Sequence, residues 1–286
     1  MTINRVAVVG AGTMGNGIAH VCALAGLEVV LADSDPDALD RGVATVGRNL
    51  ERQLSKGRID AADRDGALER IEPATGLERV GQAVLVVEAV PEIAELKYEI
   101  FEQLDRLAPP GAILASNTSS ISITAIAART RRPGKVIGMH FMNPVPVMKL
   151  VEVIRGLRTD DDTTEAVMSL SRSLGKVPVE VRDFPGFVSN RILAPMINEA
   201  VFALMEGVAE ADAIDTVMKL GMNHPMGPLA LADLIGLDTC LNILEVLHRE
   251  LGDDRYRPCP LLRQYVAAGW LGRKSGRGFH DYNRDR

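Results

Sequence analysis

The chain has 286 residues, of which 47% are hydrophobic and 24% charged, and its formal net charge at pH 7 is -6. This length favours two domains and allows a core large enough for an enzyme. The acidic balance excludes a general nucleic-acid binder, and no apolar run reaches the length that a membrane-spanning helix needs.

The cysteines and the N-terminus indicate an intracellular protein. Cys22, Cys240 and Cys259 lie far apart and form no C-x-x-C pair, so we expect neither a disulfide framework nor a metal site. The first residues run directly into an alternating apolar stretch, without the pattern of a signal peptide. We therefore expect a cytoplasmic protein.

Short β-rich runs alternate with helical patterns up to about residue 182, as in stacked βαβ units. The predicted strands are Arg5–Val9, Glu28–Ala32, Ala83–Val90, Ala112–Ser116, Val136–His140, Lys149–Ile154 and Val177–Val181. Two polar helical stretches, Asp37–Gly57 and Ala61–Arg70, predict a helical excursion after the second strand. We therefore predict an α/β fold whose first domain, residues 1–184, is a Rossmann-type, mostly parallel sheet.

A glycine-rich turn joins the first predicted strand to a helix. It consists of Gly10, Ala11, Gly12, Thr13, Met14 and Gly15, in the pattern G-x-G-x-x-G. In such a turn Gly10 makes the tight bend, Gly12 lets backbone N–H groups approach a pyrophosphate, and Gly15 lets helix and strand pack closely. The order of strand, glycines and helix predicts a dinucleotide site rather than a structural turn alone.

Asp33 follows the second predicted strand and indicates which dinucleotide is bound. At this distance from the glycines, an acidic residue accepts hydrogen bonds from the adenosine ribose hydroxyls. No Arg occurs within Ser34–Pro36 to bind a 2′-phosphate. We therefore predict NAD rather than NADP as the cofactor.

His140 ends a predicted strand, at the carboxyl edge where open parallel sheets bind ligands. A lone His is more often an ordinary structural residue, but Glu152 lies within the next apolar strand. Its neighbours on the same face, Leu150 and Ile154, indicate that this face is buried. Because a buried carboxylate needs a partner, we predict a His140–Glu152 pair. The alternative for Glu152 is an edge-strand residue that points to water.

The polar run Ser116–Ser120 follows another predicted strand and is also expected at the carboxyl edge of the sheet. It contains Asn117 and Ser119. The alternative, which the residues alone favour, is that this run only caps a helix over Ile121–Arg129.

Helical periodicity replaces the β pattern after Asp183-Phe184-Pro185-Gly186. We predict a domain boundary at Pro185-Gly186 and an all-α domain over residues 185–286. Apolar residues cover too much of the first helix of this domain for a single buried stripe. We therefore expect a homodimer formed through the C-terminal domain.

Five motifs resemble those of the 3-hydroxyacyl-CoA dehydrogenase family, and the resemblance extends over nearly the whole chain. They are Ala115–Ser120, His140–Pro144, Met148–Val153, Pro185–Arg191 and Gly272–Gly276. The resemblance implies an NAD-dependent enzyme that interconverts (S)-3-hydroxyacyl-CoA and 3-oxoacyl-CoA. Short chains, such as 3-hydroxybutyryl-CoA and acetoacetyl-CoA, are the expected substrates.

The resemblance also implies roles for single residues. His140 would be the general base, Glu152 its orienting partner, and Ser119 and Asn190 polar groups around the reacting oxygens of the substrate. The implied cofactor contacts beyond the glycine-rich turn and Asp33 are Glu92, Lys97, Asn117, Ser119, Asn143 and Lys274. The chain departs from the pattern of many relatives at Met142, where they carry an aromatic residue.

Three cations recur every fourth residue on the long polar helix: Arg48, Arg52 and Lys56. This spacing places them on one face, where they could receive the phosphates of CoA. The resemblance supports Arg52 and Lys56 as substrate contacts. A solvated helix face is the alternative.

Two other functions stay compatible with the motifs. One is a non-catalytic relative, such as the lens structural protein of the same superfamily, although loss of His140 or Glu152 would be its signature and both are present. The other is a dehydrogenase of a different hydroxyacid or sugar acid. The cationic helix and the Ser116–Ser120 run favour acyl-CoA over that alternative. The pathway, the chain-length range and the preferred direction stay open.

Overall fold

The computed structural model describes residues 3–283. These residues form two compact units that divide between Phe184 and Pro185. The first unit holds a β-sheet flanked by helices, and the second consists mainly of helices.

The first unit is built on one eight-stranded sheet. Its strands are β1 (Arg5–Val9), β2 (Glu28–Asp33), β3 (Ile71–Thr75), β4 (Leu85–Glu88), β5 (Ile113–Ser116), β6 (Val136–Phe141), β7 (Leu150–Arg155) and β8 (Val177–Arg182). Their order is β3-β2-β1-β4-β5-β6-β7-β8. All neighbours run parallel except β6 and β7, which are antiparallel. The prediction of a Rossmann-type, mostly parallel sheet is therefore confirmed.

Helices connect the strands of this sheet. They are α1 (Thr13–Leu24), α2 (Pro36–Ser55), α3 (Ala61–Glu69), α4 (Ala94–Leu107), α5 (Ile123–Ala127) and α6 (Asp161–Ser173). Ile18 of α1 and Leu50 of α2 are fully buried in the same core as Val8 and Leu31 of the sheet. Polar side chains cap the N-termini of α2, α3 and α5; Asp35, for example, caps α2 by accepting a hydrogen bond from the backbone N–H of Asp37.

The sequence does not predict β3, which forms one outer strand of the sheet. Its pattern is weak because Pro73 and Thr75 are exposed, and Ile71 and Ala74 are its buried apolar residues. An outer strand pairs with one neighbour only, so it tolerates a proline and needs less apolar surface. The opposite outer strand, β8, also contains a proline, Pro178.

The direction of the chain connections reverses between β1 and β4, which are neighbours in the sheet. The connection after β1 leads to β2 on one side, whereas the connection after β4 leads to β5 on the other. In open sheets of this kind, ligands bind in the crevice at the carboxyl ends of the two strands. The glycine-rich turn and Glu88 both lie at this point.

The second unit consists of α7 (Ser189–Met205), α8 (Ala211–Gly221), α9 (Pro228–Ile235), α10 (Leu237–Leu251) and α11 (Pro260–Ala267). Its core includes fully buried Val201, Leu229, Leu244 and Leu262. Within the described part of this unit, β structure is limited to isolated bridges. The prediction of an all-α C-terminal domain is confirmed.

A buried carboxylate holds the last described segment of this unit. Asp233 is 1% exposed and accepts hydrogen bonds from the backbone N–H groups of Phe279 and His280 and from the Tyr282 hydroxyl. Asp215 accepts a hydrogen bond from the His280 ring in the same way. The last described segment is thus tied to α8 and α9.

Across residues 3–283, none of the helices combines the length and the apolarity that crossing a membrane requires.

Candidate active site

Two glycines of the turn after β1 are required by the packing of the protein itself. Gly10 has φ +99°, and a Cβ on it would lie 2.7 Å from the carbonyl oxygen of Ala89. A Cβ on Gly15 would overlap the carbonyl oxygen of Gly10. Any larger residue at either position would therefore force the turn apart.

Gly12 differs from these two because a Cβ on it would have no atom within 4 Å. It is the N-cap of α1, and no side chain caps this end of the helix. The amide groups of the first turn therefore have no side-chain cap, and the helix dipole favours an anion at this end. A pyrophosphate fits this place, which a side chain at Gly12 would fill.

Asp33 is held against the same turn. One carboxylate oxygen accepts a hydrogen bond from the backbone N–H of Ala11 at 2.7 Å, and the other accepts one from the N–H of Asp35 at 3.0 Å. Each carboxylate oxygen has a second acceptor site. The carboxylate is thus fixed at the end of β2 and can also accept hydrogen bonds from ribose hydroxyls.

A buried ion pair joins the ends of β4 and β5 to α4. Glu88 and Lys97 are 0% and 1% exposed, and the Lys97 Nζ lies 2.6 Å from a Glu88 oxygen. The Ser116 hydroxyl donates to the other Glu88 oxygen at 2.6 Å. Sequence reasoning missed Glu88, and it named Ser116 only as part of the polar run. The available signal was a carboxylate at the end of an apolar strand, Leu85–Glu88.

Glu92 organises the polar run after β5. Its carboxylate accepts hydrogen bonds from the Thr118 hydroxyl at 2.6 Å, the Ser119 N–H at 2.9 Å and the Ser120 N–H at 3.0 Å. Burial raises the pKa of Glu92, but the nearby Lys97 ammonium and these hydrogen bonds outweigh burial and hold the pKa below its usual value. The run is therefore folded around an ionised carboxylate.

The alternative interpretation of the Ser116–Ser120 run, as the cap of a helix over Ile121–Arg129, is wrong. The helix here is α5, which begins at Ile123, and its cap is Ser122, whose hydroxyl oxygen accepts from the N–H of Ala125. Thr118, Ser119 and Ser120 of the run donate hydrogen bonds to Glu92 instead.

His140 and Glu152 lie directly opposite each other in the antiparallel pair of β6 and β7. The His140 Nδ1 is 2.8 Å from a Glu152 carboxylate oxygen, and the two residues are 8% and 2% exposed. Glu152 is therefore not an exposed edge residue, since β7 has β8 on its other side. Asn117 accepts a hydrogen bond from the Phe141 N–H at 3.0 Å, which fixes the end of β6 next to His140.

The other predicted site residues lie elsewhere in the chain. Asn143 is exposed in the loop after β6, and Arg52 and Lys56 are exposed at the C-terminal end of α2. Asn190 lies in the first turn of α7, in the second unit. Lys274, also in that unit, places its ammonium 2.6 Å from each oxygen of Asp238.

No group of three or more His, Cys, Asp or Glu side chains within residues 3–283 is arranged to hold a metal ion.

Two family models match the chain. Residues 5–184 match the model described as "3-hydroxyacyl-CoA dehydrogenase, NAD binding domain", and residues 186–282 match "3-hydroxyacyl-CoA dehydrogenase, C-terminal domain". The chain belongs to the 3-hydroxyacyl-CoA dehydrogenase family. Both the predicted family and the predicted cofactor, NAD, are confirmed.

Similar proteins match the chain over its whole length. A probable 3-hydroxybutyryl-CoA dehydrogenase of Bacillus subtilis (strain 168) is 59% identical over 282 residues, which cover 99% of this chain and 98% of that protein. A 3-hydroxybutyryl-CoA dehydrogenase of Bradyrhizobium diazoefficiens is 56% identical over 280 residues, 98% of this chain and 96% of its own. The crystal structure of the (S)-3-hydroxybutyryl-CoA dehydrogenase PaaH1 from Ralstonia eutropha superposes with a TM-score of 0.96 at 54% identity, and the match covers 99% of this chain and 100% of that one. The prediction that the chain is an NAD-dependent dehydrogenase is confirmed.

Proposed function

We propose that the protein interconverts (S)-3-hydroxybutyryl-CoA and acetoacetyl-CoA. The observation that carries this proposal is the buried His140–Glu152 pair at the carboxyl edge of a sheet whose glycine-rich turn fits a pyrophosphate. The names of the similar proteins support this substrate pair over other hydroxyacids.

His140 is the general base of the proposed reaction. With Nδ1–H donating to Glu152, Nε2 is the ring atom that takes the proton of the substrate 3-hydroxyl, or returns it to the ketone in the reverse direction. Glu152 holds the ring in this tautomer and stabilises the imidazolium that forms. Bound NAD supplies the hydride acceptor at the nicotinamide ring.

The cofactor contacts divide between backbone and side chains. The amides at the start of α1 would hold the pyrophosphate, and Asp33 the adenosine ribose. Glu92, Asn117 and Asn143 would line the nicotinamide half. Among the remaining residues, Ser119 and Asn190 would surround the reacting oxygens, and Lys274 would lie near the nicotinamide half. Lys97 is 1% exposed, so we propose that it acts through Glu92, which lies 3.4 Å from its ammonium.

Arg52 and Lys56 are the proposed contacts for the phosphates of CoA. Both are exposed near the end of α2, on a protein whose net charge of -6 otherwise repels anions. Arg48, one turn earlier, donates a hydrogen bond to the Thr45 hydroxyl at 2.7 Å.

The second unit carries apolar surface that suits a homodimer. Ile192 of α7, Val217 and Leu220 of α8 and Leu234 of α9 are between 50% and 80% exposed. Exposed apolar residues of this size on several helices of one unit are typical of an interface. We propose that two copies associate through these helices.

The initial rate of NADH oxidation on addition of acetoacetyl-CoA tests this function. We expect fast turnover with NADH, slow turnover with NADPH and none with free acetoacetate. His140→Ala should lower kcat by about a hundredfold to ten-thousandfold, the usual contribution of a positioned acid or base, while NADH still binds. Equal rates with acetoacetate would favour a different hydroxyacid dehydrogenase, and no turnover with tightly bound NADH would favour longer acyl chains or a non-catalytic role.

A further inference from the structure

A buried lysine lies beneath the loop that joins β6 to β7. Lys176 follows α6, is 8% exposed, and donates through its Nζ to the carbonyl oxygens of Val145 and, at 2.8 Å, Met148. Both carbonyls belong to residues 142–149, the loop between the strands that carry His140 and Glu152. The lysine therefore acts on the connection between the two members of the proposed catalytic pair.

The partners of this ammonium are carbonyl groups rather than a carboxylate. Among the residues that the structure describes, no Asp or Glu forms an ion pair with Lys176. Burial lowers the pKa of Lys176. Taking a cation out of water is costly without a counter-ion, and a methionine would fill a similar volume without that cost. We therefore expect the Lys176 charge to have a role beyond filling space in the core.

Two titratable residues of α1 near Lys176, His20 and Cys22, are uncharged. Burial lowers the pKa of His20 to about 4; Gln53 opposes this shift, and the Lys176 ammonium adds a smaller lowering, so this fully buried ring is neutral at pH 7. Burial raises the pKa of Cys22 to about 12, so its thiol is neutral as well. The Lys176 charge is thus directed at the two carbonyl oxygens of the loop.

The loop is held from its other side by α1. Val145 is 1% exposed, and a Cβ on Gly17 of α1 would lie 2.8 Å from the Val145 Cβ, so the two elements are in close contact. The N–H groups of Val147 and Met148 both bond to the Pro144 carbonyl oxygen at 3.0 Å. The loop is thus fixed between α1 and the Lys176 ammonium, with Asn143 at its beginning.

We propose that Lys176 is a positioning residue for the reaction: its ammonium fixes the β6–β7 loop, and through it Asn143 and the ring of His140. Without the ammonium, the carbonyl groups of buried Val145 and of the more exposed Met148 would lose their shared donor, and the loop would move so that water could bind the Val145 carbonyl. This inference rests on the proposed function, because Asn143 of the loop is assigned there to the nicotinamide half of the cofactor.

Lys176→Met tests the proposal because it removes the charge and keeps most of the volume. The matched control is Lys135→Met. Lys135 lies on a short 3₁₀ helix of the same unit, and its ammonium is 3.8 Å from the Asp160 carboxylate. We expect Lys176→Met to lower kcat for acetoacetyl-CoA by about tenfold to hundredfold, the size of effect that loss of an outer-shell partner has at metal sites. The Kd for NADH should change by less than about threefold, since the glycine-rich turn supplies most of that affinity. The control should change neither.

A rescue experiment separates positioning from a general loss of structure. A partly open pocket of about 350 Å³ is lined in part by His20, Lys149 and Lys176. In Lys176→Ala, ethylammonium is expected to enter there and restore kcat in a saturable way, with no such effect on His140→Ala. Hydrogen–deuterium exchange of residues 142–149 should increase in Lys176→Met and not in Lys135→Met.

The outcomes distinguish this proposal from the proposed function. A wild-type protein without turnover of acetoacetyl-CoA contradicts the proposed function, whereas the exchange of residues 142–149 still tests the contact. An active wild type with an equally active, folded Lys176→Met overturns the positioning role. The positioning role is also overturned if Lys176→Met loses kcat, NADH affinity and thermal stability together and Lys176→Ala does not respond to ethylammonium.

Discussion

The two halves of the carboxyl edge of the sheet are built from different chemical groups. At β1 and β2 the turn offers backbone amides and open space at Gly12, supported by the carboxylate of Asp33. At β4 to β7 the edge is lined by buried, paired side chains, among them Glu88, His140 and Glu152. Binding a phosphate needs N–H groups and room, whereas moving a proton needs one side chain whose orientation a partner fixes.

The difference between the two halves predicts that the largest effect on kcat comes from changing Glu152, the partner of the proposed base. Glu152→Gln should lower kcat by at least about a hundredfold, because an amide neither stabilises an imidazolium nor enforces the tautomer. NADH affinity, which depends on the other half of the edge, should stay the same. Glu180→Gln, an exposed carboxylate on the neighbouring β8, is the matched control. An unchanged rate and pH profile for Glu152→Gln would remove Glu152 from the mechanism.

A smaller effect is expected where the backbone forms the site. Gly12→Ala should fold normally, since its Cβ meets no protein atom, but should raise the Kd for NADH by about tenfold to hundredfold through overlap with the pyrophosphate. Gly15→Ala should instead lower the free energy of unfolding by about 1–3 kcal/mol, because its Cβ overlaps the Gly10 carbonyl. Fluorescence titration and urea denaturation separate the two. If Gly12→Ala bound NADH as wild type does, the turn would not be the pyrophosphate site.

The smallest effect is expected for the exposed cations of α2. Arg52→Gln and Lys56→Gln should each raise the KM for acetoacetyl-CoA by about twofold to fivefold, as loss of one solvent-exposed ion pair does, and the effect should shrink at high salt. The KM for NADH should not change. Arg41→Gln on the same helix, whose partner is Asp35, is the control. Equal changes for all three variants would indicate general electrostatics rather than a CoA site.

Sequence patterns predict those parts of the molecule that depend on the type and spacing of side chains. Apolar strands and the glycine-rich turn have such patterns, and a carboxylate inside an apolar strand needs a partner, so the pairing of Glu152 with His140 could be predicted from the sequence. Outer strand β3 could not be predicted, because Pro73 and exposed polar residues weaken its alternation. The Lys176 contact could not be predicted either, because its acceptors are backbone carbonyls, which every residue has.

The prolines of the two outer strands also bear on how the protein behaves at high concentration. An outer strand presents a row of backbone N–H and C=O groups to which a strand of another molecule can add. Pro73 in β3 and Pro178 in β8 each remove one N–H group from such a row, and both strands also carry charged residues, Glu72 in β3 and Glu180 and Arg182 in β8. A sheet of eight strands is therefore protected at both margins against edge-to-edge aggregation.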